Sequence, residues 1–250
     1  MSMEINDVGF SGKLRPDGAR IGVIALATDL TIEADMPRML PPQVSMYTNR
    51  VLNANPLTID NLRAMRGDIA RAAEGLLPGR GITAAVYACT SGSAAIGHAR
   101  IAESIRTSHP QAEITTPLVA LDAARQHLGV RRLSILTPYI GELNRAVAEH
   151  IASNGVDIIN INGLGFTDDT EVADIEPADI IRYAEEACDS QAEALFIACT
   201  AFRASFIIDE LERRIKRPVL TSNQVLAWHA AKIAGYAAPI KGFGALLQEA

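Results

Sequence analysis

The sequence predicts an α/β protein made of two similar lobes. Each would be a parallel sheet flanked by helices, with the active site in the cleft between them. Three observations carry this. Short apolar runs rich in Val and Ile alternate with helical patterns of roughly 10–15 residues, the mark of βαβ units. The runs are nearly continuous rather than alternating, as expected of strands buried on both faces. And the chain repeats itself: AAVYACTSGSA, Ala84–Ala94, is echoed by ALFIACTAFRA, Ala194–Ala204.

The strands read, in order, as Arg20–Ala27, Gln43–Leu52, Ile82–Ala88, Arg132–Thr137, Asp157–Asn162, Ala194–Ala198 and Pro218–Thr221. Helical spacing of apolar residues begins at Ile59–Leu77, which Pro78-Gly79 stops. It recurs at Ser93–Thr107, Leu118–Leu128, Gly141–Ser153, Pro177–Ser190, Ala204–Arg214 and Asn223–Ile233. Asn154-Gly155 supplies αL-tolerant residues at a helix end. The repeat divides the chain into a first lobe of residues 1–118 plus 219–250 and a second of residues 119–218. No low-complexity linker separates them, so the lobes should pack tightly.

The chain has 250 residues, 48% hydrophobic content and a net charge of -6, enough for a large core. A general nucleic-acid binder usually carries a basic face, so no nucleic-acid partner is expected. No apolar run approaches the roughly 20 residues of a bilayer span, and MSMEINDVGFSGKLRPDG has no signal-peptide core. A cytoplasmic protein without a membrane partner is the expectation. Three cysteines make no disulfide framework, and no histidine stands near one at zinc-ligand spacing, so no metal site is expected. His109 and His127 read as surface helix residues. Small α/β enzymes are often dimers, which leaves a homo-oligomer open.

Cys89 and Cys199 each end an apolar strand and are each followed by threonine. In open α/β sheets, ligands bind beyond the carboxyl ends of the strands. Backbone N–H groups at a helix start stabilise anions there, lowering a thiol pKa or holding a carboxylate. Two thiols flanking one cleft suit two-sided proton transfer or nucleophilic addition. A free cysteine is also a common buried apolar residue. Cys188, inside the helix Pro177–Ser190, reads as packing of that kind. GLGFTDD reads as a glycine turn without the helix start of a nucleotide fingerprint. Glu212–Arg217 reads as a solvated basic helix end.

The two Cys-Thr turns, LTPY at Leu136–Tyr139 and GLGFTDDTEVADI at Gly163–Ile175 carry a resemblance. Over roughly Arg20 to Tyr236 the chain resembles the aspartate/glutamate racemase superfamily, in its maleate cis–trans isomerase and arylmalonate decarboxylase branch. GVIALATDLTIEADM, Gly22–Met36, and MYTNRV, Met46–Val51, look most like its ectoine-utilisation members. The resemblance implies two pseudo-symmetric α/β lobes, no metal and no organic cofactor. It places Cys89 and Cys199 on the catalytic cysteines. It places Thr90 and Ser91 where arylmalonate decarboxylases hold a carboxylate or enediolate, and Tyr139 on a tyrosine that binds substrate carboxylate. Those decarboxylases have glycine where this chain has Cys89, which speaks against simple decarboxylation.

Two departures bear on the substrate. Asp29 and Asp169 stand where the isomerases have asparagines. An ionised aspartate accepts hydrogen bonds but cannot donate them, so it repels a carboxylate and suits an ammonium group or a base. Asp29 is equally a favoured N-cap for a helix starting near Leu30. The amino-acid racemases carry histidine two residues after the second cysteine; here Ala201-Phe202-Arg203 follows Thr200. The expected protein is therefore a cofactor-independent isomerase or racemase acting on a small carboxylate, a dicarboxylate or an ectoine-derived amino acid. Cys89 and Cys199 would be catalytic. Asp29, Thr90, Ser91, Tyr139 and Thr200 would line the pocket, with Asp169 or Thr170 on its rim. An arylmalonate-type decarboxylase and a non-catalytic sensor of an ectoine-derived metabolite remain as alternatives.

Overall fold

The structure, a computed structural model, describes residues 3, 5, 7, 9–13, 18–236 and 238–249. Two four-stranded parallel sheets carry the fold. The first half runs β1 (Ala19–Leu26), α1 (Ile32–Asp35), β2 (Val44–Val51), α2 (Ile59–Ala64), α3 (Arg66–Glu74), β3 (Ala84–Ala88), α4 (Thr90–Ile96), α5 (His98–Arg106) and β4 (Glu113–Thr115). Helix α6 (Pro117–His127) leads into the second: β5 (Arg132–Tyr139), α7 (Gly141–Ser153), β6 (Asp157–Phe166), α8 (Asp169–Val172), α9 (Pro177–Ala187), β7 (Ala194–Ile197), α10 (Ile208–Ile215) and β8 (Val219–Thr221). Helices α11 (Ser222–Ile233) and α12 (Gly244–Gln248) follow.

The strand orders are β2-β1-β3-β4 and β6-β5-β7-β8. They are the same order, so the repeat in sequence is a repeat in topology. Parallel neighbours need crossovers, and helices supply them on both faces. Strands β1, β3, β5 and β7 are buried almost throughout, which explains their continuous apolar composition. Helix α11 leaves the end of β8 and lies against β3, β4 and α6.

Several predicted elements end elsewhere. Ser93–Thr107 is two helices, because Gly97 takes φ +87° and breaks the run. Ile59–Leu77 is likewise divided at Met65. The segment read as a glycine turn is the end of β6. A side chain at Gly163 would press on Asn144 and the Tyr139 carbonyl, at 2.1 and 2.4 Å, so glycine lets β6 approach β5 there. Cys188 caps the end of α9 rather than lying inside it. His109 is not a surface helix residue: it is buried, and its Nε2 meets the Ala73 carbonyl at 2.9 Å. Strand β4 has no apolar run to announce it, since three residues suffice once β3 offers a partner.

The carboxyl ends of the two sheets face each other. The loops beyond them are tied across the interface: Leu57 N–H to the Thr167 carbonyl (2.8 Å), Thr31 Oγ1 to the Ala201 carbonyl (2.8 Å) and Asn55 Nδ2 to Asp168 (2.8 Å).

Candidate active site

Strand β3 ends at Ala88, so the next residue leaves the sheet where the two halves meet. Cys89 is the N-cap of α4 in extended conformation (φ −151°), and its sulfur accepts the Gly92 N–H at 3.2 Å. Its carbonyl accepts from the Ser93 N–H (3.0 Å) and hydroxyl (2.6 Å), which fixes the turn. The Ser91 hydroxyl lies 3.7 Å from the same sulfur.

Cys199 occupies the matching strand end but not the matching conformation. Its φ is +121°, a region that side chains rarely adopt. Such strain costs about 1–3 kcal/mol and persists where surrounding contacts over-determine it. Here the Cys199 N–H is held by the Ser222 hydroxyl at 3.0 Å, and the Ala201 N–H points at the sulfur. No helix starts at Cys199; the chain turns through Ala204 before the next helical residues. The expectation that both thiols sit at helix starts therefore holds for Cys89 alone.

The structure brings together most of the expected residues. Tyr139 is fully buried at the end of β5, and its hydroxyl is within hydrogen-bonding reach of the Cys199 thiol. Asp169 is not on a rim. It is 4% exposed, accepts a hydrogen bond from the Thr28 hydroxyl, and its charge acts on both thiols and on Tyr139. Thr170 is turned aside, its hydroxyl and N–H both donating to Asp168 (2.7 and 2.9 Å).

Two other hydroxyls are also committed within the protein. Thr200 donates to the Ala88 carbonyl at 3.2 Å, and Thr90 pairs with Ser222 at 2.8 Å. These two tie the cysteine turns to each other rather than standing free for a carboxylate. Asp29 does two jobs at once. One carboxylate oxygen accepts the N–H groups of Thr31 (2.7 Å) and Ile32 (2.9 Å), which holds the turn into α1; the N-cap of that helix is Thr31, not Asp29 as expected. The other is buried without a hydrogen bond, beside a Thr200 hydroxyl whose proton is already given away.

Sequence reasoning missed the scaffold that joins these groups. Ser222 bridges Thr90 to the Cys199 backbone. Asp35 accepts from Ser205 (2.5 Å) and Asn223 (3.1 Å), and Asn223 also donates to the Thr200 carbonyl (2.9 Å). Ser222 follows the last residue of β8, and that strand-end position was the available signal.

Burial dominates the electrostatics. It raises the carboxyls of Asp29 and Asp169 above the ordinary range, against the hydrogen bonds that lower them. Burial, and after it the Asp169 charge, push the Cys89 thiol up to about 12 and Cys199 well above its usual value. The expected lowering by backbone N–H groups is present at both sulfurs but is outweighed. Among the described residues, Arg50 is the cation that acts on Asp29. It spends its donors on the carbonyls of Leu26, Ala27 and Asp29 and on Glu33. Asp169→Asn should therefore lower both thiol pKa values. The expected result is alkylation of Cys89 and Cys199 about tenfold faster at pH 8, followed by peptide mass spectrometry.

No group of three or more His, Cys, Asp or Glu able to hold a metal ion occurs among the described residues. No helix of the described residues is long and apolar enough to cross a membrane.

Comparison with known proteins agrees with this architecture. The sequence model of the family described as arylmalonate decarboxylase matches residues 22–247. A maleate isomerase of Alcaligenes faecalis is 23% identical over 91% of this chain and 96% of its own length. An arylmalonate decarboxylase of Bordetella bronchiseptica is 30% identical, over 54% of this chain and 58% of its own. A solved Nocardia farcinica maleate cis–trans isomerase variant with a covalently bound succinylcysteine intermediate superposes with a TM-score of 0.84. It is 22% identical and covers 93% of this chain and 99% of that one, and so shows a shared fold. With the matched family model spanning nearly all of both sheets and both cysteine turns, the chain belongs to the arylmalonate decarboxylase family.

Proposed function

We propose that this protein is a cofactor-independent isomerase that acts on a small carboxylate through Cys89 and Cys199. The observation that supports the reading is the approach of two buried strand-end thiols close enough to act on each other's ionisation, with Tyr139 and Asp169 acting on the same pair. A thiol on each side of a carbon serves proton removal and return, or addition to an alkene and collapse of the adduct. Relatives are maleate isomerases, and one holds a succinylcysteine, the kind of adduct the second route requires.

The electrostatics favour a particular ligand. The Asp169 charge opposes ionisation of both thiols, and the Asp29 charge opposes that of Cys89 and of Asp169. A ligand bearing an ammonium group would reverse that balance by pairing with Asp29 and Asp169 and easing loss of a thiol proton. A small amino acid, such as an ectoine-derived one, fits better than a dicarboxylate.

The test is proton exchange in deuterated water. Small amino acids and small dicarboxylates are incubated with the protein and followed by NMR. Exchange of the α-proton or cis–trans conversion is the expected result. Release of carbon dioxide without isomerisation would replace the reading with a decarboxylase. A ligand that binds unchanged, with Cys89 and Cys199 inert to alkylation, would replace it with a sensor.

A further inference from the structure

Tyr87 was assigned no role by the sequence. It lies two residues before Cys89 on β3, so both side chains leave the same face of the sheet. The side chain is completely buried, and its hydroxyl has no well-formed hydrogen bond, with the Cys89 thiol the one group that acts on it as an acceptor. An unsatisfied buried hydroxyl costs about 1–3 kcal/mol and calls for a reason.

The reason lies at Gly92. A carbon added there would stand 2.6 Å from the Tyr87 hydroxyl and 2.9 Å from the Cys89 sulfur, with the Met65 methyl at 3.3 Å. The hydroxyl and the sulfur thus press on one point, and the missing side chain at Gly92 leaves them to face each other. The sulfur is the acceptor within reach, and the hydroxyl's titration responds to it. A neutral thiol is a weak acceptor; a thiolate is a strong one.

We infer that Tyr87 is a positioning residue for Cys89, its hydroxyl closing onto the sulfur when the thiol ionises. The donor that meets only a weak thiol acceptor in the resting state meets a strong one in the reactive state. Burial holds the Tyr87 proton well above the usual tyrosine range, so the hydroxyl remains a donor when the thiol ionises. The groups acting on Cys89 divide clearly. Asp169 and Asp29 oppose ionisation; the Gly92 N–H and the Ser91 hydroxyl favour it. Tyr87 joins the second set. It would serve Cys89 as the Tyr139 hydroxyl serves Cys199, from its own strand rather than the neighbouring one. The inference rests on Cys89 acting as a thiolate, as proposed above.

The experiment is Tyr87→Phe, which removes one oxygen, with alkylation by iodoacetamide resolved by peptide between pH 7 and 9. Alkylation of Cys89 should slow by about tenfold, one pH unit of thiol pKa, while Cys199 and Cys188 keep their rates. An unchanged Cys89 rate overturns the inference. So does acceleration of all three thiols, because a loosened fold would expose them. The readout needs no substrate, so it stands even if no carboxylate is turned over.

Discussion

Cys89→Ser and Cys199→Ser are each expected to lower turnover by about a thousandfold or more while leaving the fold intact. A serine hydroxyl fits either strand end, but it is a far weaker acid and nucleophile than a thiol. The structure sharpens the expectation by showing different environments. Cys89 sits at a relaxed helix cap, and Cys199 in a strained turn held by Ser222. Cys188→Ser should be close to wild type, since that residue is a half-buried helix end. Turnover by NMR and thermal unfolding, measured on the same samples, separate lost chemistry from lost folding. Wild-type rates in Cys89→Ser would mean one-thiol chemistry, and the decarboxylase reading would take over.

Asp29→Asn should reorder substrates rather than abolish activity. The oxygen that holds the turn before α1 is retained in asparagine, so the N–H groups of Thr31 and Ile32 keep their acceptor. The change falls on the unpartnered oxygen, which becomes an amide donor. Two like charges about 4 Å apart repel by about 4 kcal/mol at an effective dielectric of about 20. Dicarboxylates should therefore gain about a hundredfold or more in kcat/KM, and amino acids should lose a similar factor. The comparison is a panel of maleate and small amino acids on both proteins. An unchanged ranking, or efficient turnover of maleate by the wild type, would discard the amino-acid reading.

The sequence read Asp29 as either a cap or a substrate contact. The structure shows one carboxylate oxygen holding the turn before α1, at the N–H groups of Thr31 and Ile32, and leaves the other buried without a hydrogen bond. Tyr139 shows a different limit. Its Thr-Pro-Tyr context suggests a turn, yet β6 and β7 pair on either side of β5 and bury it at the strand end. Asp169 was expected near the site but on its edge. Its burial follows from loops of both halves closing together, which no local pattern records.

What the sequence determined by itself was the alternation of strands and helices, the twofold repeat and the position of Cys89 and Cys199 at strand ends. These are local properties: apolar runs, helix periodicity and a repeated tripeptide act within a few residues. The charge state of the site was decided by the tertiary structure alone. Asp29 and Tyr87 act on Cys89 from its own sheet, whereas Asp169 and Tyr139 reach it only once the two sheets face each other and exclude water. Desolvation is a property of the assembled interior, so the same Ala-Cys-Thr that would carry an ordinary thiol in the unfolded chain holds its proton tightly when packed.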